Sequence, residues 1–125
     1  MTAHVRYTAW DADLPGTLSP FVVSEIIRKR IGFGGLLLTD DLDMEALDGT
    51  VPERAERAIA AGCDIALNCW AKMDDMVGIA QRLPAMSDEA AQRLERALAS
   101  VESGSKELHA DLVARRDALL AQTVA

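Results

Sequence analysis

Gly35 to Met44 reads GLLLTDDLDM, and the reading of this stretch decides the fold. An apolar run, Gly35 to Thr39, ends in Asp40, Asp41 and Asp43. A continuous apolar run of this length suits a strand covered on both faces, as in parallel sheets. Carboxylates crowded at its end mark a strand tip where a loop begins.

The flanking segments repeat the theme. Residues 1–7 alternate as a short strand would, with Met1, Ala3, Val5 and Tyr7 on one face. A turn-rich loop carries Pro15 and Gly16, and Ser19-Pro20 reads as a helix N-cap followed by proline in the first turn. Phe21, Val22, Ile26 and Ile27 form the inward stripe of that helix. Arg28, Lys29 and Arg30 suit its C-terminal dipole, and Gly32 ends it. Beyond the acidic loop, Thr50-Val51-Pro52-Glu53 has capping-box spacing and opens a helix with Ala55, Ala58 and Ile59 inward, closed by Gly62. Cys63 to Cys69 reads as a third strand. A third helix runs from Met73 to about Leu83, with Met73, Met76, Val77 and Ala80 on one side. Ser87 caps another helix, bearing Leu94, Leu98 and Val101; Gly104 and Ser105 divide it from a terminal helix through Leu108, Leu112 and Leu119.

Strands starting near residues 1, 35 and 63 are spaced as βαβ units require, at about 30 residues. Strand-helix alternation means a parallel sheet with helices outside, an α/β class. The spacing divides the chain into residues 1–83, three β/α units, and residues 84–125, a helical extension.

Composition narrows the partners. Acidic residues outnumber basic ones 20 to 13, for a net charge of −7. Nucleic-acid affinity rests on clustered Lys and Arg, so a nucleic-acid partner is not expected. No apolar run approaches the roughly 20 residues of a membrane span. Met1 to Arg6 lacks the basic start and apolar core of a signal peptide. On one extended strand, Cys63 and Cys69 would lie about 20 Å apart, too far for a disulfide. Free thiols fit a cytoplasmic protein.

Four readings compete for the acidic loop. A solvated loop with capping carboxylates is the commonest meaning of such a cluster. Calcium is the second: Asp41, Asp43 and Glu45 match alternating EF-hand positions, but Ala46 stands where glycine is required and Pro52 where the closing glutamate belongs. The third, phosphate binding by Gly32-Phe33-Gly34-Gly35, fails because these glycines precede a strand and do not open a helix. The fourth is catalytic. Active sites of parallel α/β proteins lie at the carboxyl ends of strands. Asp40, the first residue after the apolar run, stands where a carboxylate attacks an anomeric carbon to form a glycosyl-enzyme.

Three ordered motifs, Met1-Thr-Ala-His-Val5, Gly32-Phe-Gly-Gly-Leu-Leu-Leu-Thr-Asp-Asp-Leu-Asp-Met44 and Ala61-Gly-Cys-Asp64, closely resemble the bacterial β-N-acetylhexosaminidases of glycoside hydrolase family 3. The Thr-Asp-Asp-Leu-x-Met element is the specific one, and the resemblance covers roughly residues 1–100. It implies a TIM-type (β/α)8 barrel, of which this chain would supply the C-terminal part: the last three β/α units plus extra helices. A whole barrel needs at least about 200 residues. The resemblance makes Asp40 the nucleophile and gives His4 and Met44 substrate-binding roles, with no metal and no cofactor. The β-glucosidase branch has Trp after the nucleophile, whereas this chain has Asp41-Leu42. In the family, a His on a Lys-His-Phe-Pro-Gly-His-Gly type loop, paired with an Asp, serves as general acid/base, and nothing here matches that loop.

The implied activity is retaining hydrolysis of terminal N-acetylglucosamine from peptidoglycan fragments, in cell-wall recycling. The implied partners are an N-acetylglucosamine-containing saccharide and either a missing N-terminal half-barrel or a second copy of the chain. The alternative is a non-catalytic interaction protein built on a half-barrel. Among the neighbours of Asp40, Asp41 is expected to serve loop hydrogen bonding, Asp43 and Glu45 to be solvated, and Trp70 and Lys72 to edge the pocket.

Overall fold

The computed structural model describes residues 1–101 and the backbone of 109–122, with side chains from 110 onward in the latter segment. The expected break at Gly104-Ser105, together with Leu108 and the side chain of His109, lies outside the described residues. Among them the sheet has two strands, β1 (Leu38–Asp41) and β2 (Ile65–Leu67), paired in parallel. Helix α1 (Val51–Ala60) crosses between them, and α2 (Met73–Arg82), α3 (Asp88–Ala99) and α4 (His109–Ala121) follow.

Residues 1–7 form no regular strand. Their main-chain link to the sheet is the Thr2 amide, which donates to the Leu38 carbonyl at 2.8 Å. The facing pattern is also displaced: Thr2 is buried, while Met1, Val5 and Tyr7 are exposed. Alternation in sequence does not make a strand until a partner takes the other backbone groups, and this segment bends away toward Thr17 instead.

β1 begins later than the apolar run predicts and ends later too, so Asp40 lies within the strand. The reason is Asp64. Its carboxylate accepts the Leu37 amide at 2.8 Å, and the Leu37 carbonyl accepts from the amides of Asp64 and Ile65. The carboxylate also receives Arg28 at 2.8 Å and Arg93 at 2.7 Å, with only 4% of the Asp64 side chain exposed. One buried anion thus joins the first helix, the start of β1 and α3. Burial pushes the Asp64 carboxyl up, but the Leu37 amide and the two guanidinium groups outweigh it, and the net shift is downward.

The ladder is irregular. Leu38 faces Ile65 and Asp41 faces Leu67, so β1 holds one more residue than β2 over the same span. There the Leu67 amide donates to the Thr39 hydroxyl at 2.9 Å rather than to a main-chain oxygen. The Leu42 amide then returns to the Leu67 carbonyl at 2.9 Å.

Local signals place the helix ends well. Ser19 Oγ accepts from the Val22 amide at 3.1 Å, Glu53 reaches back to the Thr50 amide at 2.9 Å, and Ser87 accepts from Ala90 at 3.2 Å. Gly32 and Gly62 close their helices at φ +74° and +108°. The first helix, Val22–Arg30, is of π type, with Ile31 donating to the Ile26 carbonyl five residues back. The wider turn rotates its buried stripe to Val22, Val23 and Ile26 and leaves Phe21 outside.

The core has two parts. Leu18, Leu42, Leu47, Ala55 and Ala58 form one; Val23, Leu37, Ala61 and Cys63 form the other. Helix α2 joins the first through Ile79, with Leu83 just beyond its end. The Met73, Met76, Val77, Ala80 face is exposed instead. Gly78 explains the choice, because a Cβ there would stand 2.6 Å from Pro52 Cγ. α2 approaches α1 through its smallest residue, which turns the Met stripe outward. On α3 the buried residue is Ala90, while Leu98 is exposed, as is Val101 beyond the helix.

Candidate active site

Asp40 and Asp41 adjoin on β1 but differ in what holds them. One Asp40 oxygen accepts the Asp41 amide at 2.8 Å, and its other oxygen has no hydrogen bond among the described residues. Asp41 Oδ1 accepts amides from Cys69 at 3.0 Å and Asp43 at 3.2 Å. Burial pushes the Asp41 carboxyl up, but these amides prevail and hold it below its ordinary value. Asp41 is therefore committed to tying the β1 loop to the β2 loop, as expected, while Asp40 presents an open oxygen.

Asp43 is not simply solvated. Its Oδ2 accepts the Trp70 amide at 3.2 Å, because the turn after β1 folds against the loop after β2. Glu45 is exposed. Arg54 of α1 secures the same turn from below, donating to the carbonyls of Leu42 at 2.8 Å and Met44 at 3.1 Å. Leu42 is fully buried beneath it, and the Met44 side chain is exposed at the rim.

His4 sits beside this strand end. Its Nε2 lies 2.9 Å from the Asp41 carbonyl and its Nδ1 2.7 Å from Thr17 Oγ1. A carbonyl only accepts, so Nε2 carries a proton, and in the neutral ring Nδ1 accepts from Thr17. The Thr17 hydroxyl meets that of Thr2 at 2.9 Å. The half-buried His4 thus bridges residues 1–7 and the end of β1 through both ring nitrogens. It also lines a hollow of about 170 Å³ with Arg6, Asp13, Asp48 and Arg57. Asp40 and Met44 do not line that hollow.

The loop after β2 is held as firmly as the one after β1. Asn68 Oδ1 accepts the Ala71 amide at 2.9 Å, and Ala71 adopts φ +50°. Trp70 is 68% exposed, and the Lys72 ammonium stands 5.0 Å from its ring centre. Burial raises the Cys69 thiol above its ordinary value, and the charges of Asp41, Asp43 and Asp40 raise it further, so all three carboxylates act on this loop. Sequence reasoning missed two features here: the loop-to-loop role of Asp43 and the ion cluster around Asp64. Each depends on partners 27 or more positions away, and an unpaired sequence carries no sign of that.

Comparison with known proteins gives the family. Residues 1–103 match the family described as the glycosyl hydrolase family 3 N terminal domain. The beta-hexosaminidase of Tolumonas auensis is 39% identical over 102 residues, which cover 80% of this chain and 29% of that protein. That of Chromobacterium violaceum is 41% identical over 98 residues, covering 77% and 27%. Among solved structures, the beta-N-acetylglucosaminidase of Thermotoga maritima superposes with a TM-score of 0.66 at 28% identity, over 83% of this chain and 25% of that one. CbsA of Thermotoga neapolitana superposes at 0.67, also at 28% identity, over 82% and 25%. The chain therefore spans less than a third of the length of these relatives. It belongs to glycoside hydrolase family 3.

Proposed function

We propose that the chain is the C-terminal part of the (β/α)8 barrel of a retaining β-N-acetylhexosaminidase, with Asp40 as nucleophile and His4 and Met44 at the rim of the sugar pocket. The observation that carries this reading is the open carboxylate oxygen of Asp40 at the carboxyl end of a parallel strand, beside an Asp41 already engaged by two amides. In the first step an Asp40 oxygen bonds to the anomeric carbon as the glycosidic C–O bond breaks, and the leaving oxygen takes a proton from a general acid. Water then displaces the carboxylate with retention. This sequence has no Lys-His-Phe-Pro-Gly-His-Gly type loop to donate that proton, so the acid comes from a complementary half-barrel. The substrate is a saccharide ending in N-acetylglucosamine, of the kind released in cytoplasmic peptidoglycan recycling. The names and folds of the relatives support this reading.

The test fuses the chain to the complementary N-terminal part of a β-hexosaminidase relative and adds a slowly hydrolysed fluoroglycoside of N-acetylglucosamine. Mass spectrometry should find the adduct on the peptide containing Asp40. Asp40→Asn should abolish the adduct and lower turnover by about 10⁴-fold. Asp41→Asn should cost less, since it weakens a loop tie. Equal losses, or the reverse order, would overturn the assignment.

A further inference from the structure

Trp70 is an exposed aromatic side chain on the loop that the carboxylates following Asp40 hold in place. Its amide is fixed by Asp43, and the amide before it by Asp41, the two carboxylates that follow Asp40 in the chain. Ala71 next to it adopts φ +50°, a left-handed conformation unfavourable for a residue that bears a side chain. Backbone strain of this kind persists where the surrounding structure imposes it, often at binding sites. Here Asn68 imposes it, by accepting the Ala71 amide. The loop is thus braced from both sides while its indole is left in solvent.

The indole is 68% exposed, and the Lys72 ammonium stands 5.0 Å from its ring centre, where cation–π attraction helps orient it. Trp10, the other tryptophan, is already engaged, with its ring centre 5.3 Å from that of Tyr7. A flat apolar face beside a carboxylate suits a pyranose ring. The axial C–H groups of the sugar cover the indole, and its hydroxyls remain free for polar neighbours.

We propose that Trp70 is a saccharide-stacking residue of the Asp40 site, its exposed indole taking the apolar face of a pyranose ring. This inference rests on the reading of Asp40 as a glycosidase nucleophile, and it adds a positioning residue outside the motif that carries that reading.

The test uses the full ¹⁵N-labelled chain, titrated with N,N′-diacetylchitobiose, with the two indole N–H signals followed by NMR. The Trp70 signal should move to saturation while that of Trp10 stays in place as an internal reference. Trp70→Ala should weaken binding, read on the Asn68 and Cys69 amides, by about three- to tenfold, and Trp70→Phe should recover most of it. A Trp70 signal that stays fixed, or an unchanged affinity in Trp70→Ala, overturns the proposal. So does an indole found buried against a second copy of the chain. Asp40→Asn separates the two readings, because stacking does not need the nucleophile. A Trp70 shift that persists in Asp40→Asn, without any chemistry dependent on Asp40, sustains the stacking residue and removes the nucleophile. Chemistry at Asp40 with a silent Trp70 does the reverse.

Discussion

Asp64 takes a main-chain amide and two guanidinium groups while almost wholly shielded from water. Breaking a buried pair by removing one partner strands the others, at a typical cost of about 3 kcal/mol. Asp64→Ala should therefore lower the denaturation midpoint sharply, and chemical unfolding followed by circular dichroism measures it. The same residue sets an acid limit. Its folded carboxyl lies below the ordinary value of 3.8, so its contribution is complete above that value and fades as pH falls through the lowered one. Stability between neutral pH and about 4 should change little on this account, then drop below it. Asp64→Asn should flatten that acid limb, and an unchanged limb in the variant would remove Asp64 as its source. At this scale the sequence was informative about Asp40 and Asp41, which carry their meaning in their neighbours. It set Asp64 in a motif but was silent about its role, because its partners Arg28 and Arg93 lie 36 and 29 positions away.

Caps were legible because their chemistry is local. Ser19, Thr50-Glu53 and Ser87 act within three residues, and each does what its type and spacing predict. Helix faces were less legible, since packing partners choose them. In α2 the Met73, Met76, Val77, Ala80 stripe outweighs Ile79 and Leu83 by count, yet the latter pair faces the core. Gly78 decides this by letting α2 meet Pro52 at close range. Gly78→Ala adds a methyl that would stand 2.6 Å from a proline ring carbon, so the helices must separate. Overpacking of this kind costs about 1–3 kcal/mol, and the better helix propensity of alanine returns about 1. A net loss of about 1 kcal/mol in thermal or urea unfolding is expected, whereas a gain in stability would show that the contact is loose.

Across the whole molecule, β2 has no strand partner on its outer side among the described residues, and β1 meets residues 1–7 only through the Thr2 amide and the His4 ring. Ile65, Ala66 and Leu67 are only half-buried, and Ile31, Met73, Met76 and Val77 are exposed. Beside β2, a hollow of about 460 Å³ runs from Ile59 and Ile65 to Met86 and Arg93. Bare edges and apolar surface invite association. The purified chain should therefore self-associate or bind a hydrophobic dye strongly in sedimentation and fluorescence assays. A dye-silent monomer with cooperative unfolding would contradict this. By itself it should also fail to hydrolyse aryl N-acetyl-β-glucosaminides, because no proton donor matching the family loop is present. Turnover above buffer that Asp40→Ala abolishes would refute that expectation. The parallel order of β1 and β2 was legible from their spacing. The missing regularity of residues 1–7 was not, because an edge segment becomes a strand only when a neighbour completes it.

Where the strands fall out of step, a hydroxyl does the work of a peptide carbonyl. Thr39, fully buried, supplies the acceptor for the Leu67 amide one residue before Asp40. The tolerated alphabet at position 39 therefore follows functional group rather than shape. Serine keeps the oxygen and leaves a methyl-sized gap. Valine copies the outline of threonine and orphans an enclosed N–H, at about 1–3 kcal/mol. Thr39→Val should thus be the more damaging of the two in unfolding assays, although a volume-based comparison ranks it the milder. In amide exchange, the Leu67 proton should be the first of the ladder to lose its protection.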